Sequence, residues 1–267
     1  RYRKPYARLP WTPGIYLFKV ASGKVLYIGK AANLRKRVSS YFERPHDYRI
    51  QRLVHEIKKI DYQKTDTAIE AFILESTLIK KYQPPYNVRE KDDKSFLYVE
   101  ITKERLPRVL LVRGKELKDK KSEVYYGPFV SAGSLREALR IIRKIFPYSI
   151  HPSTQLPRQS SGQVRASPLR PCFDYELGLC PGTCVGAISR GEYLKNIRNI
   201  KLLFRGKKKQ ILKSLEAEMR ATSKALEFEK AEKLKRQIFS LKHVQDVALI
   251  TESDYLTPTT YNLKPDF

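Results

Sequence analysis

The chain has 267 residues and a net charge of +25, from 53 lysines and arginines against 28 aspartates and glutamates. Such an excess suits a polyanion, a nucleic acid or an anionic membrane surface, and says little about fold. No apolar run reaches the length of a membrane-spanning helix, the N-terminus has no apolar signal core, and no long basic helix carries a wholly apolar opposite face, which ranks nucleic acid far above membrane. Three cysteines are too few for a disulfide framework and fit a reducing, cytoplasmic setting.

Arg1 to Leu9 is basic and aromatic, either a phosphate-touching arm or a solvated end; the chain begins without methionine, as a piece of a longer protein would. Ile15 to Val20 and Val25 to Ile28 are short runs rich in β-branched and aromatic residues, joined by Ala21-Ser22-Gly23-Lys24, and read as a hairpin with a glycine in its turn. Ala31 to Phe42 has helical periodicity. Leu34, Val38 and Phe42 fall on one side, free to pack on the hairpin, and Asn33, Arg37 and Tyr41 fall on another, so that an amide, a guanidinium and a phenol are expected in one place. Two tyrosines, Lys30 and Arg37 are more polar capacity than a small core needs. Ile50, Leu53, Val54 and Ile57 mark a second amphipathic helix with Arg49, Arg52, Lys58 and Lys59 on its polar side, and Ile60 to Thr65 reads as a third strand. His46 and His55 have no partner at ligand spacing.

Gly14-Ile15-Tyr16 and Tyr27-Ile28-Gly29, in this order and followed by Lys30, Arg37 and Tyr41, resemble the GIY-YIG endonucleases. Further on, Thr67-Ala68-Ile69-Glu70 is a capping box opening a helix on which Phe72, Glu75 and Ile79 share a face. A carboxylate on a buried stripe is costly unless paired or metal-bound, so Glu75 is read as a Mg²⁺ (or Mn²⁺) ligand, with a structural ion pair to Arg37 as the compatible alternative. Pro84-Pro85 ends the helix and Tyr86-Asn87 follows. Glu70 to Glu75, Leu78 to Tyr82 and Pro84 to Asn87 look most like the UvrC family, which acts in bacterial nucleotide excision repair; the resemblance implies Glu75 as single metal ligand and Asn87 as a supporting polar group.

The residue types support phosphodiester hydrolysis. A cation on Glu75 can bind a phosphate oxygen and the leaving oxygen, and Arg37 can neutralise charge on the phosphorane. Tyr27 is the candidate general base, with Lys30 beside it favouring the phenolate, while Tyr16 and Tyr41 orient water or phosphate. The residue types leave open whether Tyr27 takes the proton itself or positions a hydroxide on the metal.

From Ser95 the pattern becomes strand-like, with Phe96 to Ile101, Val109 to Val112 and Val124 to Tyr126, a charged loop from Lys115 to Lys121, and a basic helix from Ser134 to Phe146. Pro152 to Pro168 reads as a flexible linker. Cys172, Cys180 and Cys184 follow as C-x7-C-x3-C. The resemblance implies an iron–sulfur cluster with a further cysteine after a Phe-Pro segment; here Phe146-Pro147 is followed by none, and His151 near that place is the candidate fourth ligand of such a cluster or of zinc. Three free thiols in a compact turn is the other reading.

Tyr193 to Phe204 reads as a short helix, and two helices follow with apolar stripes at Ile211, Leu212, Leu215 and Met219 and at Ala231, Leu234, Ile238 and Leu241. Leu226 to Ala231 resembles the UVR hairpin through which the family meets UvrB, with Phe228 as the expected interface anchor; packing on the chain's own domains is the alternative. Val247 to Thr251 is a possible strand. The expected architecture is α+β: a mixed α/β GIY-YIG domain over 10–92, a small sheet-plus-helix region over 93–150, a linker and cysteine region over 151–204 and a helical hairpin over 205–245. The family usually continues into an RNase H-like nuclease and helix-hairpin-helix elements that this sequence lacks. The resemblance therefore implies a DNA endonuclease making the 3′-side incision at a lesion in double-stranded DNA, recruited by UvrB. A nuclease-inactive adaptor and another structure-selective GIY-YIG enzyme are the rivals.

Overall fold

A computed structural model describes residues 5–88, 96–117, 124–152 and 171–243. The expected strand at 247–251, the linker after Pro152 and positions 118–121 of the charged loop lie outside the described residues. Strands β1 (Gly14–Lys19), β2 (Val25–Ala31) and β3 (Lys59–Lys64) form an antiparallel sheet in the order β2-β1-β3. Helices α1 (Leu34–Glu43) and α2 (Tyr48–Glu56) lie between β2 and β3, and α3 (Ala68–Tyr82) and the short α4 (Pro85–Val88) follow. The central strand alternates as a doubly covered strand must. Tyr16 and Phe18 pack with Leu34, Val38, Tyr41 and Leu53 of α1 and α2, whereas Ile15 and Leu17 pack with Ala71 and Ile79 of α3.

The second sheet joins β4 (Leu97–Ile101), β5 (Val109–Arg113) and β6 (Val124–Phe129) in the order β5-β4-β6, with a 3₁₀ turn at Gly114–Leu117. Its helix is α5 (Ala132–Ile145). After the one-turn α6 (Phe173–Glu176) come α7 (Arg190–Phe204), α8 (Lys208–Lys224) and α9 (Phe228–His243). Val99, Ile101, Phe129, Leu135, Ile142, Tyr193, Ile200, Ile211, Leu215, Leu234 and Ile238 share one large core. The inner stripes of the hairpin helices thus pack within this chain, as the alternative reading had it, and the turn between them stays exposed at Leu226 and Phe228. Gln237 Nε2 of α9 donates to the Ile145 carbonyl at the end of α5 (2.8 Å).

Helix α3 differs from its expected form. It is buried on two sides rather than along one stripe: Ala68, Ile69, Phe72 and Ile73 enter the large core, and Ala71 and Ile79 face the first sheet. Phe72 stacks on Phe129 of β6 at 5.0 Å between centroids. Glu75 falls between the two faces and is only half-buried. The capping box is half made. Thr67 accepts from the Glu70 N–H (3.3 Å), but the Glu70 carboxylate takes the Asp66 N–H (3.0 Å) and faces Lys208 of α8 (3.4 Å). Of the N-terminal segment, residues 1–4 lie outside the described residues, and Tyr6 and Leu9 are not solvated: both are buried in the core with α1 and α2, and the Tyr6 hydroxyl donates to Glu43.

Candidate active site

The two glycines of the hairpin motif have steric reasons. Tyr16 pairs with Gly29 across β1 and β2, and a Cβ at position 29 would collide with the Tyr16 hydroxyl, so the phenol lies over bare backbone. A Cβ on Gly14 would meet the Gln63 carbonyl of β3. Tyr16, Phe18, Tyr27 and Tyr41 form an aromatic cluster with centroids 5.0 to 6.2 Å apart, and the Tyr16 and Tyr41 hydroxyls are hydrogen-bonded at 3.0 Å.

Strand β2 is the edge of its sheet, and an edge presents unpaired backbone groups. Here the site's own side chains take them. Asn87 accepts the Ile28 N–H (2.8 Å) and donates Nδ2–H to the Ile28 carbonyl (2.9 Å), while Glu75 Oε1 accepts the Lys30 N–H (3.1 Å). The amide of Asn87 acts as a short extra strand.

Tyr16, Tyr27, Lys30, Arg37, Glu75 and Asn87 line one cavity of about 190 Å³, together with Arg49, Tyr86, Val130 and Ser131. Tyr41 stands behind this wall and reaches it through the Tyr16 hydroxyl. The Arg37 guanidinium lies 5.3 Å from the centre of the Tyr41 ring. Asn33 departs from the expectation: its side chain caps α1 by accepting the Lys36 N–H (2.9 Å), the ordinary use of an asparagine before a first turn. Arg49, on the polar side of α2 by periodicity, is brought in by a bond from Nη2 to the Tyr86 carbonyl (2.6 Å). Val130 and Ser131 come from the turn before α5, and nothing in the local pattern marked them.

Burial pushes the Tyr16 phenol well above its ordinary pKa, followed by the neighbouring Tyr41 and Tyr27, and only Arg37 works the other way. Tyr27 is partly exposed as a residue, yet its hydroxyl is enclosed, and burial, Tyr41 and Glu75 raise it likewise against Arg37. The cation acting on the phenol is therefore Arg37. The Lys30 ammonium, expected to favour the phenolate, lies 3.1 Å from Ser134 Oγ.

The donor set fits a hard cation. A half-buried carboxylate lines a cavity with room for water, and Mg²⁺ keeps several waters when a protein supplies one carboxylate. At a second place Cys172, Cys180 and Cys184 bring their sulfurs within 4.8 Å of one another. A tetrahedral zinc with bonds of 2.3 Å needs sulfurs about 3.8 Å apart, so three thiols fit three corners. His151 is not brought into this group: its Nε2 lies 3.3 Å from Asp174 Oδ2, which also receives Arg143 Nη2 (2.8 Å). Burial pushes the Cys172 thiol up to about 11. Cys180 is lowered although burial opposes it, because the Thr183 hydroxyl and the N–H groups of Gly182 and Thr183 outweigh it.

A tyrosine-lined hairpin, a helix delivering Arg37 and Tyr41, and a second helix delivering Glu75 to the sheet edge together define a GIY-YIG domain. Residues 12–88 match the UvrC-like GIY-YIG domain, residues 96–203 the middle domain of the UvrC/Cho excinuclease, and residues 209–244 the UvrB/uvrC motif. The chain belongs to the UvrC family. It is similar to the UvrABC system protein C of Methanothermobacter thermautotrophicus, 39% identical over 241 residues that cover 90% of this chain and 38% of that protein. The same protein of Vibrio vulnificus is 40% identical over 242 residues, covering 90% and 38%. This chain thus spans about two-fifths of the length of the curated relatives it matches. The GIY-YIG N-terminal endonuclease domain of UvrC from Thermotoga maritima, bound to magnesium, is 42% identical and covers 32% of this chain and 94% of that one, with a TM-score of 0.30. Among the described residues no helix is long and apolar enough to cross a membrane.

Proposed function

We propose that this chain is a divalent-cation-dependent DNA endonuclease of nucleotide excision repair, which makes the incision on the 3′ side of a lesion after UvrB recruits it through the α8–α9 hairpin. The observation that carries this reading is the convergence of Tyr16, Tyr27, Lys30, Arg37, Glu75 and Asn87 on one cavity. Glu75 would hold a single Mg²⁺ (or Mn²⁺), which when bound supplies Lewis-acid stabilisation of charge on the phosphate. Arg37 neutralises charge developing on the non-bridging oxygens. Lys30 adds a second positive charge at the mouth of β2. Tyr27, whose phenol is raised by burial, Tyr41 and Glu75 against Arg37, either takes the proton of the attacking water or positions a hydroxide on the metal. Tyr16, fixed by Tyr41 and by the space over Gly29, shapes the opposite side. Asn87 holds β2 at the register that aims Tyr27 and Lys30.

The three cysteines would take zinc or iron at three positions, with a fourth ligand other than His151 in the conformation described. Iron and zinc measured on anaerobically purified protein decide this, and stably folded protein free of both sinks it. The test of the nuclease reading is nicking of lesion-bearing duplex with Mg²⁺, with and without UvrA and UvrB. Cation-dependent incision 3′ to the lesion supports it. Binding to DNA and UvrB with no cut under any of these conditions identifies an adaptor instead.

A further inference from the structure

The cavity is closed by a part of the chain far from the nuclease motif. Val130 and Ser131 line it, Ser131 caps α5 by accepting the Ser134 N–H (3.2 Å), and Ser134 Oγ stands 3.1 Å from Lys30 Nζ, 104 residues away in sequence. Lys30 is 6% exposed and Ser134 is fully buried. An ammonium this deeply buried needs acceptors within reach, and its long stem otherwise samples several rotamers. The Phe72 ring, 5.4 Å from Nζ, limits the stem on one side and is itself clamped against Phe129. The Ser76 hydroxyl donates to the Pro128 carbonyl (2.8 Å), tying the Glu75 helix to the end of β6, next to that turn. The region of the second sheet therefore grips two of the elements that carry charged groups of the site, β2 with Lys30 and α3 with Glu75.

We propose that Ser134 is a positioning residue of the nuclease site, fixing the Lys30 ammonium from α5, so that the second sheet completes the catalytic cavity. This rests on the reading of the cavity as a nuclease site. The test uses the full chain with Ser134→Ala, Lys30→Gln and the double variant, on lesion-bearing duplex with Mg²⁺, UvrA and UvrB. Ser134→Ala is expected to lower kcat about tenfold with KM nearly unchanged, as loss of a hydrogen bond to a charged group does, and to cost nothing further once Lys30 is Gln. An equal loss in both backgrounds, or no loss, overturns the proposal. A second measurement does not depend on cutting: acylation of Lys30 by an amine-reactive ester, read by mass spectrometry against Lys208, which is equally buried. Ser134→Ala should raise labelling of Lys30 several-fold and leave Lys208 unchanged. An unaltered ratio overturns the proposal even in protein that never nicks DNA, whereas absence of nicking by the unmodified chain with altered labelling removes the nuclease reading alone.

Discussion

Sheets β2-β1-β3 and β5-β4-β6 share one plan, with the first strand in the middle, two antiparallel neighbours and a helix following the third strand. They part in what is inserted and in what their faces carry. Between β2 and β3 the first sheet admits α1 and α2, which bring Arg37, Tyr41 and Arg49; between β5 and β6 the second has a 3₁₀ turn and the charged loop. The first sheet sets Tyr16 beside, and Tyr27 on, an edge strand whose backbone groups are taken by Asn87 and Glu75. The second turns Val99, Ile101, Val109 and Phe129 into the large core. On the proposed reading the same topology serves reaction in one place and support in the other, because function resides in the side chains grafted on the plan.

The sharpest way to break this contrast is to disable each sheet in turn. Glu75→Ala, Arg37→Ala and Tyr27→Phe should each lower nicking by about a thousandfold or more at unchanged thermal unfolding, since on the proposed reading each removes a group acting on the reacting phosphate or water. Near-normal cutting by Glu75→Ala with the same Mg²⁺ dependence would take that carboxylate out of the site. Ile101→Ala in the centre of the second sheet should do the reverse. It should cost about 4 kcal/mol of stability in denaturant unfolding and leave kcat per folded molecule intact.

Buried phenols sharpen the comparison, because both sheets have them. Tyr193, which packs under the second sheet and accepts the Ser149 N–H, is pushed by burial from 10 to about 12, with that N–H pulling the other way. Burial raises Tyr16, Tyr27 and Tyr148 in the same direction. A phenol that ionises at 10 when unfolded but stays neutral in the fold contributes stability fully present below pH 10 and lost as pH rises towards 12. Tyr193 alone accounts for about 3 kcal/mol over that window. Unfolding measured between pH 8 and 12 should show this fall, and a flat profile would contradict the burial of these hydroxyls.

The smallest effect concerns the hairpin, which serves neither sheet's face directly. Phe228 opens α9 with 64% of its surface exposed, and a large aromatic so placed fits a docking anchor. Phe228→Ala should weaken binding to the C-terminal hairpin of UvrB by about 2 kcal/mol in titration calorimetry, while nicking without the partner is unaltered. Unchanged affinity would move the docking surface elsewhere, with Phe239 the next exposed aromatic on the same helix.

Local pattern alone determined a good deal of this protein. The hairpin, the order of strands and helices and the helical spacing of Arg37 and Tyr41 all depend on periodicity, turn residues and a compact motif, which act over a few residues, whereas Glu75, read from spacing on one buried stripe, falls between two packed faces. Tertiary structure decided the rest. Asn33 carried the right spacing for the site but was drawn to the nearer unsatisfied N–H groups of its own helix. Tyr6 and Leu9 read as a polar arm because their few neighbours are charged, and burial against α1 and α2 came from a surface the sequence does not display. His151 went to Asp174, a full charge within reach, rather than to the thiols. The wall of the cavity at Val130 and Ser131, and Ser134 behind it, were invisible for the same reason: Lys30, which Ser134 meets, is 104 residues distant, and no periodicity records which surfaces will meet once two small sheets pack against one shared helix.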